Sequence, residues 1–159
     1  MSTLDETAPA FIEIAHRIVW CTAATVDPDG RPRTRILHPI WQWDGGSLIG
    51  WIATGPTPVK SAALDIMPAM SVSYWDSTHD TVSADCDVTW HDDLETCTTV
   101  WNLFAEGPEP VGYDPSIIPG WDGPDSLGFR ALRLDPYRVR VFPGTMLLSG
   151  SGKVHHWRR

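Results

Sequence analysis

Two tight turns bracket one extended run. Asp27-Pro28-Asp29-Gly30 precedes Arg31 to Trp43, and Asp44-Gly45-Gly46 follows it. Turns of this chemistry join antiparallel neighbours. Ile18 to Val26, on the near side, is rich in β-branched residues and reads as a strand. Ser47 to Thr54, on the far side, reads as another. The pattern predicts three consecutive strands joined as a meander.

The third of these strands ends at Thr54, and Gly55-Pro56 turns the chain into a helix. Thr57 stands at the N-cap position, Pro58 at the first helical position and Lys60 one turn in. The helix runs to Ile66, and Pro68 stops it. Unsatisfied N–H groups at a helix start, a hydroxyl and a cation together make an anion site. Arg33 and Arg35, on one face of the preceding strand, are placed to complete it. Such a site holds the phosphate of a cofactor. The plainer alternative is a solvated strand edge beside an ordinary helix start.

The rest of the chain continues the β pattern. Leu4 to Arg17 reads as a helix, with Phe11, Ile14, Ala15 and Ile18 at helical spacing. Ala69 to Trp75 and Thr81 to Trp90 alternate apolar and polar residues, as half-buried strands do. Asp92 to Glu106 reads as a helix with a capping box, Asp92 paired with Glu95. Gly107 to Gly128 is rich in Pro and Gly and too long for a mere connector, which predicts a lid or an interface arm. Phe129 to Phe142 reads as a strand bent at Asp135-Pro136, and Thr145 to Trp157 as a last strand. Fold class is therefore mainly β, of the α+β kind: an antiparallel barrel of six to seven strands with two to three flanking helices.

The 159 residues make one domain, 1–159, with no internal repeat. Net charge is −8, and its distribution matters more than its size. Ser61 to Phe129 holds 13 of the 20 acidic residues and no Lys or Arg. An acidic chain of this kind is a poor nucleic-acid or anionic-membrane binder, and its few clustered cations suit one small anion. Nine tryptophans imply aromatic surface at an interface or around a flat ligand. Cys21, Cys86 and Cys97 are odd in number and far apart, which points to free thiols in a reducing cytoplasm. The acidic start, MSTLDETAPAF, lacks the features of a signal peptide.

The order of these elements resembles that of the pyridoxamine 5′-phosphate oxidase-like split-barrel flavoproteins. The matching pieces are Asp29-Gly30-Arg31-Pro32-Arg33 at the turn, and Arg33-Thr34-Arg35-Ile36-Leu37-His38 on the second strand. Trp51-Ile52-Ala53-Thr54 and Thr57-Pro58-Val59-Lys60 follow. The resemblance covers most of the chain to Trp90 and, more loosely, Phe129 to Phe142. It implies an FMN-binding split barrel, usually a homodimer with the flavin at the interface, acting as an oxidoreductase on a small molecule. Carried over by position, Arg33 or Arg35 and Lys60 would bind the phosphate, with Thr54 and Ser61 as hydroxyl donors. Ile36, Leu37 and His38 on the second strand, with Trp51 and Ile52 on the third, would complete the cofactor site. His38 stands where the oxidase has a lysine near the flavin. The family's Ser-Arg-Lys at the helix start is replaced by Pro58-Val59-Lys60, which leaves room for a deazaflavin in place of FMN. The oxidase's C-terminal substrate-binding pattern is absent, which argues against pyridoxamine phosphate oxidation.

No residue emerges as an obligatory catalyst, because a flavin carries its own redox chemistry. His38 is the nearest candidate for a proton donor, with a packing role as the alternative. His79, Asp80, Asp85, Cys86, Asp87, His91 and Asp92 lack metal-ligand spacing and read as a solvated hairpin, so no metal is expected. Trp157 is a candidate to reach over the flavin. Two other functions compete: a non-enzymatic flavin or haem carrier or sensor, and a barrel without a cofactor serving as an interaction module.

Overall fold

The computed structural model describes all 159 residues. Helix α1 (Leu4–Ile18) starts at a reciprocal cap: the Glu6 N–H donates to Thr3 Oγ1 (3.3 Å) and the Thr3 N–H to Glu6 Oε2 (3.1 Å). Its buried stripe is Thr7, Ala8, Phe11 and Ala15. The helix extends to Ile18, and Val19 reverses the chain at φ 73°. Strand β1 (Cys21–Val26) therefore begins later than its run of β-branched residues implied, because Ile18 belongs to the helical stripe.

Strand β2 (Pro32–Leu37) pairs only with β1, and β3 (Pro39–Trp43) only with β4 (Leu48–Thr54). The single strand expected over Arg31 to Trp43 is thus two strands, and the simple meander is corrected. Pro39 causes the break: it has no N–H for a ladder, and it restricts the backbone of His38. Strands β5 (Ala69–Trp75), β6 (Thr81–His91), β7 (Arg130–Phe142) and β8 (His155–Arg158) complete one antiparallel sheet. Its order is β2-β1-β5-β6-β7-β4-β3, with β8 also on β7. Because β2 and β3 stand at opposite ends of that order yet adjoin at His38, the sheet must roll. No ladder closes it, so the barrel is split along a seam. Eight strands replace the expected six to seven. The bend expected at Asp135-Pro136 appears as a register shift opposite Asp85 and Cys86.

The main core fills the rolled sheet, with α1 laid across it. Phe11 packs edge-on to Trp41 at 4.9 Å, and the Trp41 indole N–H donates to the Tyr74 hydroxyl at 2.9 Å. Gly50 opposes Trp41, and a Cβ there would lie 2.8 Å from the indole. Complete burial of one such large side chain stabilises the fold by about 1.5–3 kcal/mol.

A second core lies on the other face of β4 and β7, beneath α3 (Leu94–Ala105). The cap of α3 is Asp93, which accepts from the Thr96 N–H at 2.8 Å, so the capping box expected at Asp92 and Glu95 does not form. The Gly107 to Gly128 segment packs here too. Val111 and Trp121 are buried in this core, so the segment covers it. The region expected as a last strand is a short helix, α4 (Gly144–Ser149), followed by β8. With α2 (Pro58–Ile66) the α-helices number four, not two or three. Trp157 on β8 packs against the α1 core.

The outer face of β2, β1 and β5 carries no helix. Its floor is Thr34, Thr22, Ala24, Ser71 and Ser73, and it is flanked by Ile36, Trp20 and Trp75, the two tryptophans each 59% exposed. All three cysteines are buried and free. No helix is long and apolar enough to cross a membrane.

Candidate functional site

The site grows out of the seam. Pro39 on β3 still opposes Ile52 on β4, and past that pair β2 turns away to join β1. The wedge so opened receives the end of β4 and the start of α2. Thr54 ends β4 and is buried. Thr57 precedes α2 as expected, but its hydroxyl makes no capping bond. The first intrahelical bond runs from the Ser61 N–H to the Thr57 carbonyl (2.9 Å), which leaves the N–H groups of Val59 and Lys60 free.

Lys60 folds back across this opening. Its Nζ donates to Thr54 Oγ1 at 2.5 Å and to the Gly55 carbonyl at 2.9 Å. The residue is only 5% exposed, and no carboxylate pairs with it. Burial, with the nearby charge of Arg35, lowers its pKa to about 8. Arg35 reaches the same wedge from β2. Its Nη2 donates to Thr25 Oγ1 at 2.9 Å, while its Nη1 is buried with no partner. The Trp90 ring lies 5.9 Å from Lys60 Nζ, and its indole N–H is also buried and unpartnered. A buried donor without an acceptor costs about 1–3 kcal/mol. Two such donors, an unpaired ammonium and a free helix start have the chemistry that suits an anion.

The expected residues divide clearly. Arg35, Thr54 and Lys60 come together, and Ser61 lines the adjoining cavity of about 250 Å³ with Trp90 and Arg130. Arg33 is committed elsewhere: its Nε donates to Asp27 Oδ2 at 3.0 Å, and Asp27 also accepts from the N–H groups of Asp29 and Arg31. These bonds, led by that of the Arg31 N–H, hold the Asp27 carboxyl below the usual range. Ile36 points out onto the bare sheet face, and Leu37 packs on the main core. Ile52 is buried in that core. Trp51 faces the other way, 5.6 Å from the His91 ring and 5.8 Å from the Arg133 guanidinium.

His38 sits at the strand break, walled by Trp20 (5.2 Å), Phe104 (5.5 Å) and Tyr113 (5.5 Å) between ring centroids. Burial first, and His16 second, pushes its pKa down to about 4, so the imidazole is neutral at pH 7. Its Nε2 is buried without a partner.

Sequence reasoning missed Trp90 and Arg130 as members of the site. Trp90 continues the inward alternation of Val82, Ala84, Cys86 and Val88, a signal present in the sequence. Arg130 reaches the site only because it pairs with Thr54 across the β4–β7 ladder, which no local pattern shows. A larger cavity, about 550 Å³, lies between α1 and the C-terminal segment. Its cations are already matched, Arg17 by Asp76 and Asp80, and Lys153 by Glu6.

No protein-family model matches the chain, and no curated protein matches it in sequence. Solved structures do match. One is a Clostridium acetobutylicum protein related to general stress protein 26 of B. subtilis, from the pyridoxinephosphate oxidase family. It has a TM-score of 0.68 at 13% identity, over 92% of this chain and 89% of that one. A pyridoxamine 5′-phosphate oxidase-related, FMN-binding protein from Nostoc punctiforme gives 0.66 at 17% identity, over 99% of this chain and 90% of that one. An F420 reductase gives 0.55 at 17% identity, over 79% and 92%. At these identities the likeness establishes the fold alone: this chain shares the split-barrel fold of these proteins.

Proposed function

We propose that this protein is a flavin-dependent oxidoreductase that holds FMN by its phosphate in the wedge between β2 and α2. The observation that carries the reading is the buried, unmatched set of donors there: Arg35 Nη1, the Trp90 indole N–H and Lys60. Lys60 and Arg35 bind the phosphate. Thr54 orients the ammonium, Thr25 orients the guanidinium, and Ser61 adds a hydroxyl beside them. When bound, FMN would supply the redox chemistry, and the protein supplies binding, orientation and charge. The FMN-binding and F420-reducing proteins that share the fold support a flavin or deazaflavin in this position. The substrate is a small molecule. Three buried free thiols suit a cytoplasmic setting.

The proposal includes a homodimer. The bare face of β2, β1 and β5 is floored by small residues and flanked by exposed Trp20, Trp75 and Ile36, a flat surface suited to a self-complementary contact.

Absorption spectroscopy of the purified protein, mixed with FMN and passed through gel filtration, tests the flavin reading. A flavin spectrum travelling with the protein is the expected result. A colourless protein after exposure to both FMN and F420 would end the reading.

A further inference from the structure

Lys60 holds its charge with neither an anion nor open water beside it. It is 5% exposed, and its ammonium donates only to uncharged oxygens, Thr54 Oγ1 and the Gly55 carbonyl. The charged groups around it bring no relief. Arg35 on β2 is a second cation and repels it. Arg130 on β7 stands opposite Thr54 and directs its Nη1 to the carbonyls of Phe129 and Ser126. Asp27, just past β1, is bound to Arg33. Asp65 on α2 and Asp92 after β6 are exposed, and neither pairs with Lys60. Trp90 on β6 offers a neutral ring at 5.9 Å. An ammonium so placed sheds its proton more readily than one in water, and an arriving anion would restore its hold on that proton.

We infer that at mildly alkaline pH the wedge draws a proton from solvent onto Lys60 when it binds a phosphate, and returns it when the phosphate leaves. The inference rests on the flavin reading and deepens it, because it places that site under the control of pH. The sign follows from the ligand-free protein, in which burial and Arg35 bring Lys60 down to about 8. Below that pH the ammonium is already charged when the ligand arrives. Above it the amine must first be protonated, and each further pH unit weakens binding by up to about tenfold. The phosphate monoester itself is a dianion throughout this range, since its second proton leaves at about pH 6. Riboflavin brings no phosphate, so its binding is not linked to Lys60.

Fluorescence titrations of FMN and riboflavin from pH 7 to pH 10 test this in the parent, Lys60→Arg and Lys60→Met. The two flavins share one ring, so ring ionisation and partial unfolding cancel in the ratio of their affinities. In the parent that ratio should fall by roughly ten- to hundredfold across the range. Arginine stays charged and methionine uncharged at every pH used, so Lys60→Arg should hold the ratio high and flat, and Lys60→Met low and flat. The two variants bracket the parent, and the test does not depend on arginine fitting the site. Calorimetry at pH 9 in two buffers of different ionisation heat should record about one proton taken up per FMN by the parent, and none by Lys60→Met. A parent that binds FMN at pH 7 with a ratio independent of pH, or a fall that persists in Lys60→Met, would overturn the inference while leaving the flavin reading intact. A parent that binds neither flavin at pH 7 would remove both.

Discussion

Replacing Lys60 by methionine keeps the length and apolar body of the side chain while deleting its charge. In the ligand-free protein the ammonium is a burden. Its pKa falls from 10.5 to about 8, which corresponds to about 3 kcal/mol against the charged folded form. The hydrogen bonds to Thr54 and Gly55 offset part of this, at about 0.5–1.5 kcal/mol each. Lys60→Met should therefore leave stability at pH 7 unchanged or raise it by up to about 2 kcal/mol. The pH dependence has a definite sign. Between pH 8 and 10.5 the folded parent has released the proton that the unfolded chain still holds, so the parent gains stability as pH rises through that window. The variant should lose that gain. Binding should move the other way: FMN should weaken roughly ten- to hundredfold, from the loss of one charged hydrogen bond of about 1.5–3 kcal/mol. Riboflavin, which lacks the phosphate, should bind both proteins alike. Urea unfolding at pH 7 and pH 10, with fluorescence quenching by both ligands, measures every part of this. The reasoning fails if Lys60→Met loses more than about 1 kcal/mol at pH 7 and weakens FMN and riboflavin equally, because Lys60 would then be structural.

The two arginines of β2 should separate in the same assay. Arg35→Met should weaken FMN by roughly ten- to hundredfold, whereas Arg33→Met should leave FMN within about threefold and lower the melting temperature through the lost Asp27 contact. Gly50→Ala should cost about 1–3 kcal/mol in denaturant unfolding, since its Cβ would sit 2.8 Å from the Trp41 ring. Light scattering should give about twice the chain mass of 17.7 kDa, and Ser73→Arg at the centre of the bare face should return the monomer mass without loss of helix or sheet signal. A dimer indifferent to that change would place the contact elsewhere.

Local chemistry made much of this legible in advance. Asp27-Pro28-Asp29-Gly30 and Asp44-Gly45-Gly46 produced the turns their residues favour, and Pro58 opened α2 as its missing N–H and fixed φ allow. Lys60 beside Thr54 followed from the same short stretch. What stayed hidden depended on distant partners. Pro39 reads in sequence as one awkward residue in a strand, yet it divides that strand between the two ends of the sheet. Arg33 and Arg35 are equivalent by alternation, and only the turn carboxylate of Asp27 separates them. The depth at which Lys60 is buried was not legible, since Arg35 on β2 and Trp90 on β6 enclose it from far along the chain. Arg130 joins the site through a ladder to Thr54, a partner far away in sequence.

The break at His38 also bears on how this protein survives among other proteins. A sheet with two free margins offers each as a template for a foreign strand, and such pairing begins aggregation. Here the margins are β2 and β3, consecutive pieces of one chain tied together at a single residue. Both are short and open on proline, Pro32 and Pro39, which has no N–H to give an added strand. Arg33 and Arg35 add charge to the β2 margin, a further obstacle to a stranger seeking to pair there. Keeping the seam open for a small ligand thus need not leave it open to another polypeptide.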